Sequence, residues 1–128
     1  MKTHITLKKL RDSHLRAAAR GVMRRSPASI PIPVDRLVQL TLREKAPGYY
    51  VSLEHAECML RLRRSGRLPA SMTALKRLMW DEIAGKVDRL MAGRRMTITD
   101  AISRVLCSSE ASRFFISEAT ARRLLMGG

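Results

Sequence analysis

The chain matches itself, without a gap, at an offset of 65 residues, and this constrains its architecture more than any other feature. Asp35, Ala46, Ser52, Ala56 and Leu60 recur identically as Asp100, Ala111, Ser117, Ala121 and Leu125. Leu37, Leu40, Tyr49, Tyr50, Val51 and Met59 are answered by Ile102, Val105, Phe114, Phe115, Ile116 and Leu124, which keep their character. The chain holds two Tyr, two Phe and one Trp, and all but the Trp fall in the two equivalent dipeptides. A repeat of this length marks one supersecondary unit used twice. Each copy, about residues 34–61 and 99–126, reads as a helix, a short β segment, an N-capping serine and a second helix. A lone two-stranded ribbon is marginal in water. The expectation is therefore that residues 49–51 pair with 114–116 near a pseudo-two-fold axis, under packed helices.

The rest of the chain supports a helical reading. Aromatics make up only 4% of the residues, so the core rests on Leu, Ile, Val, Met and Ala, which suit helices better than sheets. A basic helix is expected over residues 5–24, with Leu7, Leu10, His14, Ala18 and Val22 on one face. Pro27, Pro31 and Pro33 then force an extended connector. A helix over 34–45 carries Leu37, Val38, Thr41 and Leu42 as its apolar stripe, ended by Pro47 and Gly48. Ser52 opens a helix through Arg64, supported by Glu57 with Arg61. The strongest periodicity, Met72, Leu75, Met79, Ile83, Val87 and Leu90 widened by Leu78 and Trp80, marks a long central helix over 71–91. Arg77 with Asp81 and Glu82 with Lys86 support its polar face. Thr97 and Asp100 form a capping-box-like start for a helix to Cys107, and Ser117 opens the last one. The expected fold is mainly α: five to six helices with two short β segments, in duplicated helix–strand–helix units around a central long helix. Residues 1–29 form a basic N-terminal helix or arm, and residues 30–128 the duplicated domain.

Charge narrows the function. The formal net charge is +14, and residues 1–25 carry half of it, with eight cations against Asp12. Nineteen of the 25 cations are arginine, whose planar fork suits phosphate. Basic clusters recur at expected helix ends and loops: Lys8 and Lys9; Arg24 and Arg25; Arg61, Arg63, Arg64 and Arg67; Lys76 and Arg77; Arg94 and Arg95; Arg122 and Arg123. Singly, each such cluster is an ordinary solvated face. Together they point to phosphate contacts. The residues assigned to that interface are Lys8, Lys9, Arg24, Arg25, Arg63, Arg64, Arg67, Arg94, Arg95, Arg122 and Arg123. The aromatic dipeptides, one beside Arg113, fit burial better than base stacking, since rings are a small domain's largest source of buried area.

Two resemblances bear on this. The stretches Ala111, Arg113, Phe114, Phe115, Ile116, Ser117, Ala121 and Ala46, Pro47, Gly48, Tyr49, Tyr50, Val51, Ser52, Ala56 resemble small uncharacterised proteins of bacterial mobile elements and phages. That likeness implies a context and no activity. Residues 102–106 and 117–125 resemble parts of the lactose-repressor type of DNA-binding headpiece, where the first belongs to the recognition helix and the second to the helix after it. The preceding helix and its turn are not legible, because residues 97–100 lead straight into Ala101, and a helix-turn-helix needs both.

Other chemistries leave no trace. His55 and Cys58 sit at i,i+3, but no second ligand pair has metal spacing, so no metal and no cofactor are expected. Cys58 and Cys107 read as small buried hydrophobes in a reducing compartment. No phosphate loop, nucleophile elbow or paired catalytic carboxylates appear, and the chain is not read as an enzyme. Nor does any apolar run approach a membrane span, so the expected location is cytoplasmic and no membrane partner is assigned. The sequence therefore reads as a small nucleic-acid-binding protein, DNA ahead of RNA, with accessory or regulatory work. The alternative is a protein-interaction or oligomerisation module, acting as a homodimer or on a protein partner.

Overall fold

Four helices begin on a hydroxyl. Ser52, Thr73, Thr97 and Ser117 each accept the backbone N–H three residues on, from His55, Lys76, Asp100 and Thr120, at 3.1 to 3.2 Å. Each such cap satisfies a donor the helix would otherwise leave open, worth about 1 kcal/mol. A computed structural model describes residues 2–127, with side chains from Leu7 onward. Its helices are α1 (Lys2–Arg25), α2 (Val34–Leu42), α3 (Leu53–Arg64), α4 (Ala74–Met91), α5 (Ile98–Ser108) and α6 (Glu118–Met126).

The two short β segments do not form. Among the described residues the only β pairing is a single antiparallel bridge, Ala46 with Ala111, closed by bonds of 3.0 and 2.8 Å. The expected strands lie three residues further on, and Tyr50 shows why they fail. Its φ is +60°, the left-handed region, which no other described non-glycine residue adopts. That kink breaks the extended run and costs about 1–3 kcal/mol. The bridge itself joins repeat equivalents, the pattern of an antiparallel pair about a local two-fold axis. It also ends α2 three residues before the expected Lys45, because Ala46 leaves the helix to pair with Ala111.

The helices gather into two compact units, and neither is a repeat. Unit 1 takes the chain up to Tyr50 and from Glu110 onward, and unit 2 takes the segment from Val51 to Ser109. In unit 1, α2 packs on α1 and α6. In unit 2, α5 packs on α4 and α3. Each unit thus draws its middle helix from one repeat and its last from the other. The expected helix–strand–helix unit is split between them.

Unit 1 buries Leu15, Ala19 and Val22 of α1, Val38, Thr41 and Leu42 of α2, and Ala121 of α6, around Ala46, Tyr49, Ala111, Phe114 and Ile116. The apolar face of α1 is therefore Leu15, Ala19 and Val22, and Leu10, expected on that face, is 45% exposed. His14 instead turns to Tyr50, its Nδ1 2.6 Å from the hydroxyl. Unit 2 buries Met79, Trp80, Ile83, Ala84 and Val87 of α4, Ala101, Ile102 and Val105 of α5, and Ala56 and Leu60 of α3. Leu78, expected in that stripe, faces out, and Ala84 takes a place in the core. The longest helix is α1, and α4 serves unit 2.

Side-chain pairing on α4 also differs from the spacing rule. Asp81 pairs with Arg63 of α3 at 2.9 Å, while Arg77 donates to the Pro69 carbonyl at 2.7 Å. Lys86 and Glu82 do meet, at 4.0 Å. Cys58 and Cys107 are both exposed free thiols, which corrects their reading as buried hydrophobes. Each lies on a helix whose apolar face is filled by other residues.

Candidate nucleic-acid interface

Basic side chains concentrate where helices end. Arg24 and Arg25 lie in the last turn of α1, Arg61, Arg63 and Arg64 in that of α3, Arg89 in that of α4 and Arg123 in that of α6. The free carbonyls at a helix C-terminus carry roughly half a negative charge, so a cation there stabilises the helix by about 0.3–1 kcal/mol. Part of the basic pattern is thus explained by helix electrostatics alone. After α3 the chain closes with Gly66 at φ +70°, its N–H bonded to the Arg63 carbonyl, while the Arg67 N–H reaches the Leu62 carbonyl. This Schellman closure satisfies the last carbonyls and carries Arg67 away from the helix. Gly93, at φ +73°, similarly turns the chain out of α4 and sets Arg94 and Arg95 on the linker before α5.

All eleven interface residues read from the sequence are exposed. Unit 1 holds Lys8, Lys9, Arg24, Arg25, Arg122 and Arg123, and unit 2 holds Arg63, Arg64, Arg67, Arg94 and Arg95. Three are engaged with acids inside their own unit: Arg25 with Glu44 at 2.5 Å, Arg63 with Asp81, and Arg122 with Asp35. Such exposed pairs are worth about 0–1 kcal/mol each, so they do not lock the cations away from a stronger anion. The other eight carry no ion pair among the described residues.

Packing adds a group that dipeptide clustering missed. In unit 2 the ends of α4 and α5 line an open cleft of about 610 Å³, with Lys86 and Arg89 on one wall and Arg104, Ser108 and Ser109 on the other. Leu90 and Val105 floor it, and no carboxylate lines it. Arg89 and Arg104 stand alone in the sequence, 15 residues apart, so only the fold brings them to one place.

Aromatic rings are not presented as stacking platforms. Tyr49, Phe114 and Trp80 are buried at 5%, 1% and 1% exposure. Phe115 is half-covered, with Tyr49 stacked at 6.4 Å and the Arg113 guanidinium 5.9 Å from its ring centre. Tyr50 is half-buried, and burial pushes its phenol up to about 12, against the opposing pull of the Gly48 backbone hydrogen bond and the Arg11 charge. His55 sits edge-on to Trp80 at 5.6 Å. Among the described residues no three His, Cys, Asp or Glu side chains gather to hold a metal ion, and no helix is long and apolar enough to cross a membrane.

The two headpiece-like stretches fall on α5 and α6, which belong to different units. The helix before α5 is α4, and residues 92–97 separate the two, longer than a usual helix-turn-helix turn of three or four. In comparison with known proteins, no family model, no curated protein and no solved structure matches this chain, so the likeness to mobile-element proteins gains no support.

Proposed function

We propose that this chain binds nucleic acid through phosphate contacts, duplex DNA ahead of RNA or single strands, as an accessory or regulatory protein. The observation that carries this reading is the set of exposed cations without acidic partners on both units, set beside helices whose apolar faces are buried. A polyanion is the partner that such a surface attracts most strongly, through counterion release and long-range steering. The buried rings favour a duplex, because single-strand binders stack bases on exposed aromatics.

The test is fluorescence anisotropy of the full chain with labelled duplex DNA, single-stranded DNA and RNA over a salt series. The expected result is micromolar or tighter duplex binding, with log K falling linearly in log salt. Lys8→Gln with Lys9→Gln should make the slope shallower by about one for each phosphate left unneutralised. Substitution is the better probe than truncation here, because α1 supplies Leu15, Ala19 and Val22 to the unit 1 core. Absence of binding at low salt would reduce the charge to a solvated surface.

A second reading draws on one feature of unit 1. Met23 and Ile30, 48% and 65% exposed, share a groove of about 360 Å³ with Pro27, Ile32 and Leu37. Exposed apolar surface of this kind serves protein contacts. A protein-interaction module would show concentration-dependent mass in sedimentation that Ile30→Ser abolishes.

A further inference from the structure

The cleft between the ends of α4 and α5 differs in its charges from the groove at the matching place in unit 1. In unit 1 the last-turn Arg25 of the long helix meets Glu44, just past the end of the middle helix, beside a groove of about 310 Å³. In unit 2 the position of Arg25 is Leu90, and the neighbouring Arg89, the counterpart of Arg24, faces the end of α5, where the chain supplies Ser108 and Ser109 instead of an acid. Unit 1 carries its own anion at this place and unit 2 does not. The unit 1 groove also holds Lys45, and the unit 2 cleft adds Lys86 and Arg104 where α1 has Gly21 and the corresponding stretch of α2 has Gln39 and Leu40.

We propose that the α4–α5 cleft is a phosphate-binding site that takes a phosphodiester group of the nucleic-acid strand. The inference rests on the nucleic-acid reading above and names the place where a backbone phosphate is held. Arg89 and Arg104 have no ion pair among the described residues, and each offers a planar fork of N–H donors. Lys86 adds a third charge, partly answered by Glu82 at 4.0 Å. The Ser109 hydroxyl is available to donate, whereas that of Ser108 is given to the Arg104 carbonyl at 2.5 Å. The C-terminal dipoles of α4 and α5 oppose an anion, but each amounts to roughly half a charge against a full charge on each guanidinium. The cleft lies within the roughly 300–1,000 Å³ of small-ligand sites. Its arginines are exposed rather than enclosed, which suits a strand passing across it.

The experiment compares the full-length wild type with Arg89→Gln/Arg104→Gln and with Arg36→Gln/Arg43→Gln, a control of equal charge loss at exposed sites outside the cleft. Duplex DNA binding is measured over a salt series, and amide NMR spectra are recorded with duplex DNA and with inorganic pyrophosphate. The cleft variant should bind about tenfold more weakly, with a salt slope shallower by about two, and the control should change far less. Ser108 and Ser109 amides should shift on adding duplex to the wild type, and Arg89→Lys/Arg104→Lys should restore most of the affinity. Equal losses in the cleft and control variants overturn the cleft and leave the nucleic-acid reading standing. Pyrophosphate shifts at Ser108 and Ser109 without duplex binding overturn the strand as ligand and assign the cleft to a free phosphate compound. No response to either probe overturns the cleft and the nucleic-acid reading together.

Discussion

Units 1 and 2 follow one three-helix plan and differ in how they fill it. The long helices correspond at the 65-residue offset: Leu15, Ala19 and Val22 are buried in α1 where Trp80, Ala84 and Val87 are buried in α4. The last helices keep that offset too, with Ser52 and Ser117 as caps and Ala56 and Ala121 fully buried. The middle helices do not. Their caps, Pro33 and Thr97, are 64 residues apart, and so are the buried pairs Val38 with Ile102 and Thr41 with Val105. The comparison teaches that the plan survives large changes in content. Unit 2 centres on Trp80, whereas unit 1 has Leu15 at that place and gains Tyr49 and Phe114 from the connecting segments. It also carries two imperfections that unit 2 lacks: a buried hydroxyl without a partner, Thr41 Oγ1, and the left-handed Tyr50.

The largest expected effect tests the two anchors against each other. Trp80→Ala and Phe114→Ala should each cost about 3–5 kcal/mol in urea unfolding, because each removes a ring about 1% exposed and leaves a cavity. A loss below about 1 kcal/mol in either would show that its unit is built on something else. Next, Thr41→Val gives α2 the residue that α5 has at Val105. It should stabilise the chain by about 1–2 kcal/mol, since the shape is kept and an unsatisfied buried hydroxyl is removed. A destabilised variant would mean that Thr41 has a partner in solution.

Tyr50→Phe makes the first aromatic dipeptide end as the second does, in Phe. It deletes the hydrogen bond to His14 and should cost about 0.5–1.5 kcal/mol at neutral pH. The same variant carries a pH signature. The folded phenol is raised from 10.0 to about 12, so the unfolded chain ionises first. The stability held below pH 10 is then lost as pH climbs toward 12. Wild type should therefore show an alkaline decline in stability that Tyr50→Phe reduces, and parallel pH profiles would refute the buried phenol. The smallest effect belongs to the surface. A double-mutant cycle on Asp35 and Arg122, 75% and 57% exposed, should return a coupling of about 0.2–1 kcal/mol that added salt weakens.

Much of this was legible, and the misses have particular causes. The Ser52, Thr97 and Ser117 caps were readable because capping is local: a hydroxyl and an N–H three residues on suffice. The strand reading failed because a short run of aromatic and β-branched residues, such as 49–51 and 114–116, also suits an irregular segment whose buried rings fill a helical core. The duplication extends further than the middle and last helices suggested. Leu10, Ala19, Val22 and Arg24 recur as Leu75, Ala84, Val87 and Arg89 at the same offset, and the dense basic charge of α1 masked that match. It was also a signal for the cleft, since Arg24 was assigned to the interface and its repeat counterpart Arg89 was not. Arg104 had no such signal.

In the sequence by itself, local spacing and simple totals were enough for the helices, the caps at Ser52, Thr97 and Ser117, the duplication and the excess of positive charge, because each of these depends on neighbours within a few residues or on composition. The tertiary structure alone decided how the repeats exchange helices between two units, which cations are answered by Glu44, Asp81 and Asp35, and where Arg89 and Arg104 come together. Those outcomes depend on which faces pack, and packing is settled by the fit of whole helices rather than by local spacing.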